Sequence, residues 1–135
     1  MEISMKWDGG QKFSATNEWG HHIIADAGKK GGGNEEGFMP TELLLYGVAG
    51  CTGIDIVRIL EKKRQKLESL EIRVEADQNE DYPKPFHTLR VHYIARGEVN
   101  ERALASAIQL SEGKYCVVSQ TIEESAKITT SFEIA

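Results

Sequence analysis

Between Leu43 and Leu60 the chain is apolar almost without interruption, and no other stretch restricts its architecture as strongly. Leu43, Leu44, Leu45, Val48, Ile54, Ile56, Val57, Ile59 and Leu60 would put apolar side chains nearly all round a helix running from about Thr41 to about Gln65. Such a helix needs cover on every side. A small sheet covers one face, and the simplest cover for the other is a second copy of the chain. Gly47, Gly50 and Gly53 interrupt the run, each at a cost of about 1 kcal/mol relative to alanine. Advancing about 100° per residue, they drift slowly round the helix as a narrow smooth stripe. The stripe makes room for a neighbouring backbone, an internal element or, on the favoured reading, the same helix of a partner subunit.

The other elements fall around this helix. "EISMKW" alternates, with Ile3, Met5 and Trp7 on one side, and "DGG" follows as a tight turn. "KFSATN", the turn "EWG" and "HHIIADA" complete an antiparallel three-stranded meander. Residues 28–37, "GKKGGGNEEG", read as a mobile loop, a connector on the favoured reading and a lid over a site on the other. Pro40 suits the first turn of the apolar helix. "LEIRVEAD" and "FHTLRVHYIA" are strands, with Leu70, Ile72, Val74 and Ala76 on one face of the first and Leu89, Val91, Tyr93 and Ala95 inward on the second. Asn100 caps a helix that Gly113 stops, a further helix starts near Lys114, and "ITTSFEI" is the last strand. The order βββ-α-ββ-αα-β describes an α+β fold, and 135 residues suit a single domain, 1–135. Trp7, Phe13, Trp19 and Phe86 could line an apolar substrate pocket, but core packing is the favoured reading. His87 and His92 fall on opposite faces of one strand and cannot share a site there.

Composition narrows the function. The formal charge of −5 argues against a nucleic-acid partner. No signal peptide is visible, and the apolar run from Leu43 to Ile54, closed by Asp55, is too short to span a bilayer. A cytoplasmic protein with no membrane partner is expected, and there a cysteine is more often reactive or buried than in a structural disulfide. Two cysteines and scattered histidines show no metal-ligand spacing, and no phosphate-binding loop appears, so neither metal nor cofactor is expected. Cys51 lies mid-helix, with Asp55 and Arg58 at i+4 and i+7, a spacing that suggests a surface ion pair. Cys116 falls in the first turn of its helix after Lys114, where dipole and lysine would both lower its pKa.

The segment "MPTELLLYGVAGCTGIDIV", followed about sixty residues on by "SEGKYCVV", resembles the OsmC/Ohr family, which includes osmotically inducible protein C and the organic hydroperoxide resistance proteins. The run "GIDIV" points to its less characterised OsmC-like branch. The resemblance implies an intertwined homodimer around the long central helix. It implies thiol-dependent reduction of organic hydroperoxides, with Cys51 the peroxidatic and Cys116 the resolving cysteine, and an external dithiol as reductant. Characterised members carry a glutamate ten residues before the first cysteine; that position is Thr41 here, and Glu42, one residue on, is left as the supporting candidate. Ten residues of helix rise about 15 Å, so a group there would act on Cys51 of the partner. Members also hold the thiolate with an arginine from the N-terminal strands, and here none precedes Arg58. Lys6, Lys12, His21 or His22 would supply only a point charge or a titrating one. Two alternatives remain: a redox-sensing or thiol-exchange pair without efficient turnover, and a non-catalytic dimer binding an apolar small molecule.

Overall fold

A computed structural model describes all residues from Met1 to Ala135. The chain divides into two units, Met1–Tyr46 and Gly47–Ala135. One helix, α1 (Pro40–Lys62), begins in the first and continues in the second.

The first unit is the expected meander: β1 (Lys6–Trp7), β2 (Phe13–Thr16) and β3 (His22–Ala25), antiparallel in that order. Gly9 and Gly10 both take positive φ in the first turn, where Lys12 N–H bonds Gly9 O at 3.0 Å. The Asn17 side chain builds the second turn by accepting from the backbone of Trp19 and His21. β1 is shorter than the alternation of residues 2–7 predicts. Its ladder pairs Trp7 with Phe13 and Lys6 with Ser14, and β2 ends two residues later at the Asn17 turn. Trp7, Phe13 and Trp19 are exposed, at 67, 42 and 78%, which corrects their expected core placement, while Phe86 is half-buried; Ile3, at 80%, is exposed as well. Alternation marks which side chains share a face, and it carries no information on whether anything covers that face.

Residues 28–37 are not a featureless connector. Asp26 is buried, and its carboxylate accepts from the backbone N–H of Ala27 (2.8 Å), Asn34 (3.1 Å) and Glu36 (3.1 Å). These bonds hold its pKa below the usual carboxylate value, the bond from Glu36 most of all and against the opposing effect of burial. A Cβ on Gly33 would lie 2.0 Å from Ala27 O, and one on Gly37 2.4 Å from Ile24 O. Both glycines are there because backbone passes through the space a side chain would fill. At the start of α1, Leu43 N–H bonds Met39 O, and the Glu42 carboxylate reaches back to the Met39 N–H at 3.1 Å. Met39 has no side-chain oxygen to cap the helix, and Glu42 supplies one half of a capping box.

The second unit builds on a three-stranded sheet ordered β4 (Lys66–Gln78), β5 (Phe86–Glu98) and β6 (Lys127–Ile134). β4 and β5 are antiparallel; β6 returns parallel to β5. A parallel partner needs a crossover. Here it consists of α2 (Glu101–Leu110), a π-helical turn (Ser111–Tyr115) and α3 (Val117–Ile122). Asn100 caps α2 as expected, its side chain accepting from Arg102 and Ala103. Gly113 does not end a helix; it lies inside the π turn, and α3 starts at Val117 rather than near Lys114. Leu89, Val91, Tyr93 and Ala95 of β5 are buried, as their alternation requires. They form the core with Leu104, Ala107 and Ile108 of α2 and Val48, Ile56 and Leu60 of α1.

α1 buries one stripe at i, i+4 spacing: Val48, Thr52, Ile56 and Leu60. Ile54 and Val57 remain exposed at 56 and 44%. By length and composition the helix is long and apolar enough to cross a membrane, which the uninterrupted apolar run alone understated. The chain itself covers it along one side only, with 22% of its apolar stretch buried: a Cβ on Gly53 would meet Ile72 Cδ1 of β4 at 2.9 Å, and one on Gly47 would meet Val118 Cγ1 of α3 at 3.8 Å. These two glycines therefore seat internal elements. Beyond its chain neighbours and the local backbone of its own helix, Gly50 has no heavy atom of the chain within 4 Å of the corresponding position.

Candidate functional site

The two cysteines come together inside the second unit. Cys51, in the middle of α1, is half-buried; Cys116, at the junction of the π turn and α3, is fully buried, and both are free thiols. Their sulfur atoms and a carboxylate oxygen of Asp55 all lie within 4.8 Å of one another. Sixty-five positions apart in the chain, the thiols meet because α1 and the crossover cover the same face of the sheet. Asp55 joins them because i and i+4 share a helix face.

The π turn fixes the position of Cys116. Ser111 O accepts from Cys116 N–H at 2.7 Å, an i→i+5 bond in place of the α-helical one. Cys116 then serves as the N-cap of α3: its sulfur accepts from Ser119 N–H at 3.3 Å, the task an oxygen performs in Ser or Asp caps. Ser111 has a second role: its hydroxyl donates to Asp55 Oδ2 at 3.0 Å and orients that carboxylate toward the thiols.

Two expectations need correction here. The thiol of Cys116 is pushed up, not down. Burial is the largest cause, and the neighbouring Cys51 adds to it; the hydrogen bonds to Ser119 oppose both. α3 is only six residues long, so its dipole is small, and Lys114 is turned onto the face of its neighbour Tyr115, 5.2 Å from the ring centroid. The expected Asp55–Arg58 surface pair is likewise replaced by the Ser111 bond. The sequence puts Asp55 on the face of Cys51 but assigns it only the surface pair, and Ser111 appears only as the first residue of "SEGKYCVV", with no role of its own. A π turn has no propensity pattern that would have marked it.

Tyr93 and Glu112 complete the polar surroundings. Tyr93 is buried on β5, and its phenol is pushed up to about 12, chiefly by burial; a hydrogen bond with Thr52 pulls the other way, and the charges of Glu112, Cys116 and Asp55 add to the rise. Thr52 in turn donates to Val48 O at 3.0 Å. The Glu112 carboxyl is also raised, by burial and by Glu123, with the Thr130 hydroxyl partly offsetting them.

The remaining candidates are engaged locally. Glu42 caps α1. Lys12 pairs with Glu36 at 3.0 Å, and His22 shares a hydrogen bond with Thr16 at 3.0 Å. His87 lies at a register shift near the start of β5, where the expected alternation with His92 is interrupted, and it contacts Thr88 at 3.0 Å; His92 contacts Ser131 and Glu133. No metal-ligand spacing exists in the sequence, yet the fold gathers three donors, because tertiary contact rather than chain spacing brings Cys116 to the i, i+4 pair on α1.

The family model described as OsmC-like protein matches residues 31–131. The chain is 33% identical over 135 residues to protein YhfA of Escherichia coli strain K12, covering 99% of this chain and 98% of that one. A crystal structure of a hypothetical protein from Aquifex aeolicus VF5 superposes with a TM-score of 0.88 at 31% identity, over 99% of this chain and 95% of the other. An organic hydroperoxide resistance protein OsmC from Legionella pneumophila superposes with a TM-score of 0.71 over 98% and 97% of the two chains; at 18% identity the likeness is one of fold.

Proposed function

The chain belongs to the OsmC-like protein family, and on that premise we propose that it reduces organic hydroperoxides through its two thiols. The observation that carries the reading is the pair itself: two free thiols within 4.8 Å, one half-buried and one sealed. The half-buried sulfur is the one a peroxide can reach. The Cys51 thiolate attacks the distal oxygen of the hydroperoxide, the O–O bond breaks, and the alcohol leaves after taking a proton. Cys51 is then a sulfenic acid. The Cys116 sulfur attacks the Cys51 sulfur, an S–S bond forms, the S–O bond breaks, and water leaves with the thiol proton. An external dithiol returns the disulfide to two thiols by exchange.

The reading includes a homodimer. Ile54 and Val57 on α1, and Val117 at 71% exposure on α3, leave apolar surface that a second copy would cover, and Gly50 lies open on the same helix.

The test is a single-turnover count. With cumene hydroperoxide in limiting amounts, two thiols should be lost per peroxide consumed, with one equivalent of alcohol formed. Peroxide consumption without thiol loss, or none at all, would remove the protein from this class. One observation favours a second reading: a resolving thiol with a raised pKa is a slow attacker at neutral pH. A thiol-exchange or redox-sensing pair would show stoichiometric disulfide formation without sustained turnover.

A further inference from the structure

We propose that Cys51, Cys116 and Asp55 form a binding site for a thiophilic divalent cation, zinc above all, in the reduced protein. The donors are two sulfurs and one carboxylate oxygen, all within 4.8 Å of one another. Around tetrahedral zinc, with Zn–S of about 2.3 Å and Zn–O of about 2.1 Å, such donors stand about 3.5–3.8 Å apart. The site has to contract by at most about an ångström, within reach of side-chain torsions on α1.

The chemistry of the donor set selects the ion. Two thiolates are soft ligands that favour zinc over magnesium or calcium, whose sites are built from oxygen. The ligands are also held from outside. The Ser111 hydroxyl bonds Asp55 Oδ2, leaving the other carboxylate oxygen for an ion, and the Ser119 N–H bonds the Cys116 sulfur. Outer contacts of this kind orient the ligands of metal sites. Cys51 and Asp55 are only half-buried, so an ion enters from their side, and the fourth position is left for water or a small ligand. Binding converts two thiols to thiolates and releases two protons to solvent; no electron moves.

The ion and the disulfide use the same sulfur atoms, so each excludes the other. The metal would hold the thiols in reserve, and oxidation would expel it. The site does not depend on peroxide turnover, since any oxidant that closes the disulfide would empty it.

The experiment is a titration of the reduced full-length protein with zinc against a chromophoric chelator, and in parallel with cobalt(II) as a spectroscopic probe. One equivalent of zinc should bind. The cobalt form should show sulfur-to-metal charge transfer in the near ultraviolet and the visible bands of a tetrahedral ion. Closing the disulfide in the wild-type protein with diamide should release the metal stoichiometrically, a readout that needs no variant to fold. Ser111→Ala should weaken binding by about tenfold, and Asp55→Asn by more. Absence of the charge-transfer band, or metal retained after the disulfide closes, would overturn the proposal. Binding unchanged in a folded Asp55→Asn variant would overturn the three-donor site. Peroxide-driven thiol loss without zinc binding would refute this inference and leave the proposed function standing.

Discussion

Replacing Gly50 separates two accounts of α1 by the sign of the effect. Beyond its chain neighbours and the local backbone of its own helix, nothing in the chain lies within 4 Å of where a Cβ on Gly50 would stand, and φ there is not left-handed. In a lone protomer, Gly50→Ala should therefore stabilise the helix by about 1 kcal/mol. For a domain of this size that raises the thermal midpoint by about 4 °C. If a second copy of α1 packs on this position, the methyl group enters a filled interface. Overpacking costs about 1–3 kcal/mol, which weakens association roughly 5- to 150-fold. Sedimentation velocity over a dilution series, with melts at each concentration, reads both quantities. The expected outcome is weaker association for Gly50→Ala and a monomeric or unfolded Gly50→Leu. Gly53→Ala is the internal control: its methyl meets the end of Ile72, so any change should appear in the melt and not in association. A Gly50→Ala protein that melts about 4 °C higher with unaltered sedimentation would refute the packed-helix account.

In Cys116→Ser, stoichiometric cumene hydroperoxide should leave a sulfenic acid on Cys51 that dimedone traps, while Cys51→Ser should give no adduct; mass spectrometry of the reversed pattern would exchange the two roles. The raised Cys116 thiol and the Tyr93 phenol at about 12 both keep their protons longer when folded than when unfolded. The folded state binds the extra protons, so stability is whole below the free-thiol value of about 8.5 and falls as pH rises past it, with the tyrosine contributing above about 10. Urea midpoints of the reduced protein should decline across that range, and Cys116→Ser should lack the first part of the decline. Asp26, held below the usual value by three N–H donors, adds stability that is present above about pH 4 and lost as acid protonates it. Asp26→Ala should lower the thermal midpoint at neutral pH and flatten the acid limb, and an unchanged melt would mean that the loop of residues 28–37 does not depend on it.

Periodicity alone yields the order of elements and the buried face of β5, because alternation of two and repetition near four are local properties of the chain. The two cysteine contexts and their family resemblance were equally legible, since both are contiguous strings. The glycine stripe was read only in part: the sequence shows smooth positions, but only packing reveals that Gly53 and Gly47 face β4 and α3 while Gly50 faces outward. Asp26 reads as one more residue of the strand "HHIIADA", because nothing in that string or in the "GKKGGGNEEG" after it says that the N–H groups of Ala27, Asn34 and Glu36 turn toward its carboxylate. The exposed aromatics of the meander were misplaced for a related reason: a period gives a face, and burial needs a second surface.

The sequence by itself determined the helix that organises the fold, the strands around it, and the two sulfurs on which the proposed chemistry rests. It also put Asp55 one turn beyond Cys51, since that relation needs only helix geometry. What the tertiary structure decided is everything that depends on distant parts of the chain: the approach of Cys116 to Cys51, the turning of Asp55 by Ser111 across fifty-six positions, and the burial that raises the Cys116 thiol where its place at a helix start had suggested the reverse. Burial and proximity are sums over neighbours, and for a residue at the junction of a π turn and a short helix those neighbours include Cys51 of α1 as well as the adjoining Ser111 and Ser119.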